Sequence, residues 1–134
     1  MSQMNTMIAA HPSVQGSTNE VLIRATQEFY SCAQMCISCA DACTAEDQVE
    51  MLRQCIRLNL DCADLCFAAG SVGTRRSGSN EEVIIAAIRA CQTACTICAE
   101  ECEKHASKHE HCGICAEHCR RCAQTCEEAI GSIR

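Results

Sequence analysis

The sequence predicts an all-α protein: an antiparallel up-down-up-down four-helix bundle preceded by a short N-terminal helix. Three observations carry this. Four long segments each begin with a Ser/Thr-x-x-acid signal: Ser17–Glu20, Thr44–Asp47, Ser79–Glu82 and Ser107–Glu110. Inside those segments cysteines recur at alternating steps of three and four, the period of a helix face turned towards partner helices. The one proline, Pro12, lies ahead of them all, and no strand-like alternation is visible.

Each element follows in order. The arm, residues 1–16, carries a candidate short helix over 4–10. The bundle proper is expected over 17–134, with helices over 18–43, 45–69, 80–105 and 108–130. Each has roughly 25 residues and would span about 37 Å at 1.5 Å per residue. In a capping box, the first side chain accepts from the N3 amide and the acid suits the positive end of the helix dipole. Gly70 and Gly131 read as helix stops. The stretch 70–79 (GSVGTRRSGS) is the one long connection, and the other turns are short enough to force antiparallel neighbours.

Composition makes the seam unusual. The 134 residues include 16 Cys, while Leu, Ile, Val and Phe together fall below the roughly 20% share of an ordinary core. The 48% hydrophobic content is largely Cys and Ala. Cysteine must therefore serve the core, as small apolar filler or as ligand. The net charge of −6 argues against nucleic acid and anionic membranes as partners, and no apolar run reads as a membrane span. There is no basic residue before Arg24 and no apolar leader core, which points to the cytoplasm. In that compartment thiols stay reduced, and a high Cys count reads as metal or redox chemistry.

The first helix carries Cys32, Cys36, Cys39 and Cys43, and the third Cys91, Cys95, Cys98 and Cys102. The fourth carries Cys112, Cys115, Cys119, Cys122 and Cys126, and the second Cys55, Cys62 and Cys66. Extending the register places Leu22, Phe29, Phe67, Ile84, Ile88 and Ile130 at one end of the bundle. Cys43, Met51, Cys102, His105, His109, His111 and Cys112 gather at the other. The stripe changes from hydrocarbon to sulfur and imidazole along its length.

Sixteen thiols in one register exceed what packing needs. Disulfides within a helix would be strained, because i, i+3 and i, i+4 Cβ atoms sit roughly 5–6 Å apart where a bridge wants about 3.5–4.5 Å. Thiolates select Cu(I), zinc and iron–sulfur clusters. The usual cluster spacings are absent. Four closed zinc sets would stack about −8 of charge in a narrow core, whereas one Cu(I) per thiolate gives neutrality. Many Cu(I) ions, roughly one per cysteine, fit best. A zinc or cadmium sink is the alternative, and a thiol-redox protein using Cys112-x-x-Cys115 comes third.

The segments CAQMCISCADAC, CIRLNLDCADLC, CQTACTICAEEC and CGICAEHCRRCAQTC resemble those of the bacterial copper storage proteins, over about residues 20–130. The resemblance implies a non-enzymatic homotetramer whose protomers each hold many Cu(I) ions. It also implies copper donor or acceptor proteins as partners. Exported relatives carry a twin-arginine leader, so the resemblance is to the cytosolic branch. Leu58 and Asn59 stand where a further thiol would continue the second helix. Asn59 is a candidate ligand, with a core amide bonded to neighbours as the competing reading. His105, His109 and His111 are candidate entry ligands, against solvated histidines around a turn. His118 lies off the seam and reads as a flank residue; Met35 reads as core filler.

Overall fold

The computed structural model describes residues 2–133. Helix α1 (Gln3–Ala9) is capped by Ser2, whose hydroxyl accepts from the Asn5 amide at 3.2 Å. The long helices are α2 (Glu20–Thr44), α3 (Arg53–Thr74), α4 (Glu81–His105) and α5 (Glu110–Ser132). A single 3-10 turn, Val49–Leu52, leads into α3. Helix α2 packs on α3 and α5, and α4 packs on the same two, so the four form a square bundle with one shared interior.

Three of the four start signals mark helix starts, but not by the capping-box bonds. Asn19 caps α2 by accepting from the Leu22 amide at 3.0 Å. The other long helices have no side-chain cap. What recurs is the acid: Glu20, Glu81 and Glu110 are the first residues of α2, α4 and α5, where negative charge meets the helix dipole. Thr44 starts nothing. It ends α2, its hydroxyl donating back to the Asp41 carbonyl at 2.6 Å, and the next helical turn opens only at Val49, with Gln48 in the cap position. The chain turns instead and buries Leu52 before α3 begins.

The expected stop at Gly70 is also overturned: α3 runs through Gly70 and Gly73 to Thr74. These glycines permit close approach. A Cβ on Gly70 would lie 2.8 Å from Tyr30 Cε2, and one on Gly73 would lie 2.9 Å from Thr26 Cγ2. Gly131 likewise sits inside α5, which continues to Ser132. There Asn19 Nδ2 donates to the Ser132 carbonyl and hydroxyl at 3.2 and 3.0 Å, tying the start of α2 to the end of α5.

Leu22, Phe29, Ile84 and Ile88 are buried at this end as the seam predicts. Phe67 is not: it is 42% exposed and rests against Tyr30 with ring centroids 6.1 Å apart. One helix contradicts the reading that no segment could span a membrane. By length and composition α4 passes, with a mean hydropathy of 1.4 over 18 residues. Its apolar score comes partly from Cys91, Cys95, Cys98, Ile84 and Ile88, all of which face the bundle interior.

Candidate metal centre

All 16 cysteines are buried and none is in a disulfide. The heptad seam explains this: each helix turns its cysteine face to the common axis, and the small side chains let four sulfurs meet there. Nearest the aliphatic end, Cys66 Sγ lies 3.4 Å from Cys91 Sγ and 3.7 Å from Cys95 Sγ. Cys62 Sγ lies 3.6 Å from Cys95 Sγ. Cys126, beside Cys91 and Cys122, completes this region.

Four-sulfur sets then follow along the axis. Cys32, Cys66, Cys95 and Cys122 come one from each long helix, with sulfurs within 4.8 Å of one another. Cys32, Cys36, Cys62 and Cys119 form another such set, and Cys36, Cys98, Cys115 and Cys119 the next. Cys39, Cys102 and Cys115 follow. Neighbouring sets share members: Cys32 first, then Cys36 with Cys119, then Cys115. Each junction thus shares one or two sulfurs, so these are not separate closed sites. An ion about 2.3 Å from each of four sulfurs would set edges of about 3.8 Å, close to the separations present. The spacing thus suits metal, and the sharing suits a polynuclear array.

Asn59 replaces a thiol in this file. Its Nδ2 donates to the Cys55 carbonyl at 2.8 Å and lies 3.4 Å from both Cys55 Sγ and Cys102 Sγ. Its Oδ1 accepts from the Cys115 thiol at 3.1 Å. Cys55 and Cys102 are themselves 3.7 Å apart. The amide is thus bonded to its neighbours and also faces sulfur.

At the opposite end from the aliphatic plug, Cys39, Cys43, Cys112 and His111 bring one ligand atom each within 4.8 Å of the others. His111 Nδ1 is 3.4 Å from Cys39 Sγ and 3.7 Å from Cys112 Sγ. Burial, then the neighbouring Cys43 sulfur, pushes the Cys112 thiol up to about 12. Burial also raises Cys43. Deeper in, Cys36 is raised chiefly by its contact with Cys115, and Cys95 chiefly by Cys122.

The three candidate entry histidines are not equivalent. Only His111 reaches sulfur. His105 Nε2 is 2.9 Å from Glu101 Oε2. His109 Nδ1 lies 3.1 Å from Glu46 Oε2, the same oxygen that sits 2.9 Å from His111 Nε2. The His109 and His111 rings stack with centroids 5.7 Å apart. His111, then His109, holds the Glu46 carboxyl below its ordinary range. His118, expected on the flank, is buried between Glu28 Oε1 at 3.1 Å and Arg121 at 2.9 Å. Met51 is exposed at the histidine end. Sequence reasoning missed Glu46 and Glu101. Glu46 was findable as a carboxylate in the turn that faces the histidine-bearing one.

Fold and site define a helical-bundle protein built around a continuous core of reduced thiols. A family model for the copper storage protein matches residues 18–131, and the chain belongs to that family. It is similar to Streptomyces lividans Ccsp, described as a copper storage protein loaded with 10 copper equivalents. The identity is 41%, the TM-score 0.92, and the match covers 98% of this chain and 100% of that one. It is also similar to a cytosolic copper storage protein from Streptomyces lividans with five coppers, at 45% identity and TM-score 0.82. That match covers 84% of this chain and 94% of the other. No curated protein matches the chain.

Proposed function

We propose that the protein stores copper in the cytosol as Cu(I), held by its sixteen cysteines, and is not an enzyme. The observation that carries this is the file of sulfur sets with shared members, running from Cys91 to Cys112. Such sharing lets each thiolate bridge two ions, and one monovalent ion per thiolate keeps a dry core neutral. His111 joins the ligands at the mouth, with His105 and His109 as outer contacts and Asn59 as an inner one. Residues 17–134 are the storage unit and 1–16 an arm. The relative that carries 10 copper equivalents supports a capacity of that order or higher. Exposed Ile37, Leu60, Phe67 and Ile97 favour self-association, in keeping with a homotetramer that exchanges copper with donor and acceptor proteins.

The test is titration of the reduced, metal-free protein with Cu(I) against a competing chelator. Uptake of ten or more ions per chain is expected, by the same standard as the loaded relative. Saturation at one or two ions would overturn the reading, as would displacement of bound Cu(I) by Zn(II).

A further inference from the structure

We propose that Glu46 is the positioning residue of the mouth: it fixes the His111 ring so that the Nδ1 lone pair faces the thiols of Cys39 and Cys112. The inference rests on the copper-storage reading for its purpose, but its geometry is already set in the metal-free chain. Glu46 lies in the turn between α2 and the 3-10 turn, and its Oε2 sits 2.9 Å from His111 Nε2. Were Nε2 unprotonated, two lone pairs would face each other at that distance. In the neutral ring the single proton therefore sits on Nε2 and is donated to the carboxylate, leaving Nδ1 as the acceptor atom 3.4 Å from Cys39 Sγ.

Carboxylates that accept from the far nitrogen of a ligating histidine fix its tautomer and raise its basicity. Glu46 does this from a turn, so the connection between α2 and α3 orients a side chain that α5 presents. The same oxygen also meets His109 Nδ1 at 3.1 Å, and the two rings stack. One carboxylate thus organises both imidazoles at the mouth. His105, held by Glu101, is outside this arrangement.

The tautomer is read by nitrogen-15 NMR of the imidazole rings in reduced, copper-free protein. Wild-type His111 is expected to carry its proton on Nε2. Glu46→Ala is expected to populate the Nδ1–H form, and Glu46→Gln, which keeps an amide oxygen acceptor, to restore the wild-type tautomer. Transfer of Cu(I) from a chelator should slow in Glu46→Ala by about tenfold, the lower end of the roughly 10–100-fold that supporting carboxylates contribute. Total capacity should be unchanged. A wild-type Nδ1–H tautomer, a His111 ring that ignores Glu46→Ala, or an unaltered transfer rate would overturn the proposal. Because the tautomer is read before copper is added, its failure is distinct from a failure of storage, which shows as lost capacity.

Discussion

The amide oxygen of Asn59 accepts a hydrogen bond from the Cys115 thiol at 3.1 Å, bridging α3 and α5 through the middle of the sulfur file. Its position completes the step pattern of its helix, since Cys55, residue 59, Cys62 and Cys66 fall at the intervals of four, three and four seen in α2 and α4. Asn59→Cys should therefore extend the file and raise copper capacity by about one ion. Asn59→Ala should instead leave buried partners unsatisfied and destabilise the metal-free protein by about 1–3 kcal/mol. Copper titration and denaturant unfolding under reducing conditions check the two outcomes.

The paired glycines of α3 should respond differently to alanine. At Gly70 the obstruction is the tip of the Tyr30 ring, half-exposed and able to swing away. Alanine also gains about 0.8–1 kcal/mol of helix propensity over glycine, so Gly70→Ala should be close to neutral. At Gly73 the obstruction is the methyl of buried Thr26, whose hydroxyl donates to the Ile23 carbonyl at 2.8 Å. That rotamer cannot turn without losing its bond. Gly73→Ala should cost about 1–3 kcal/mol of overpacking, partly offset by propensity. Thermal or chemical unfolding of the two variants makes the comparison.

Stability of the metal-free protein should fall in alkaline solution. Cys112 is raised from 9.0 to about 12 in the fold, and Cys43 is raised as well. The folded state binds these protons more tightly than the unfolded chain. Their contribution is complete below pH 9 and is lost progressively as pH rises towards 12. Unfolding free energies measured across that window should decline, and copper loading, which replaces the protons, should remove this decline. At neutral pH the same raised thiols mean that loading releases about one proton per Cu(I), measurable in weakly buffered solution.

Shared sulfurs should matter more than terminal ones. Cys36 belongs to two adjacent four-sulfur sets, whereas Cys126 stands at the edge of the file, beside Cys91 and Cys122. Cys36→Ser should lower copper capacity by more than one ion, and Cys126→Ser by about one. Equal losses would mean that the sulfurs act as independent sites.

The seam was legible because one physical cause, burial of one helix face, writes a period into the sequence. All sixteen thiols face inward as that period requires. The fold class followed from the same period. What periodicity does not encode is what crosses between helices. Gly70 looks like a terminator until Tyr30 is placed against it. Thr44 looks like a cap until α2 is seen to run through it and the next turn to open only at Val49. Within the site, three histidines clustered near one end were equivalent on paper. All three meet a carboxylate, Glu46 or Glu101, but only His111 also turns its second nitrogen to sulfur.

The aliphatic plug has a consequence for order. Leu22, Phe29, Ile84 and Ile88 close one end, and Asn19 fastens that end to Ser132. Copper that entered and left only at the histidine end would behave as a stack. The ions nearest Cys91 would be the first deposited and the last withdrawn, while those beside His111 would turn over with supply. Such a protomer would hold a deep reserve and a shallow exchangeable pool in one chain, distinguished only by distance from the mouth.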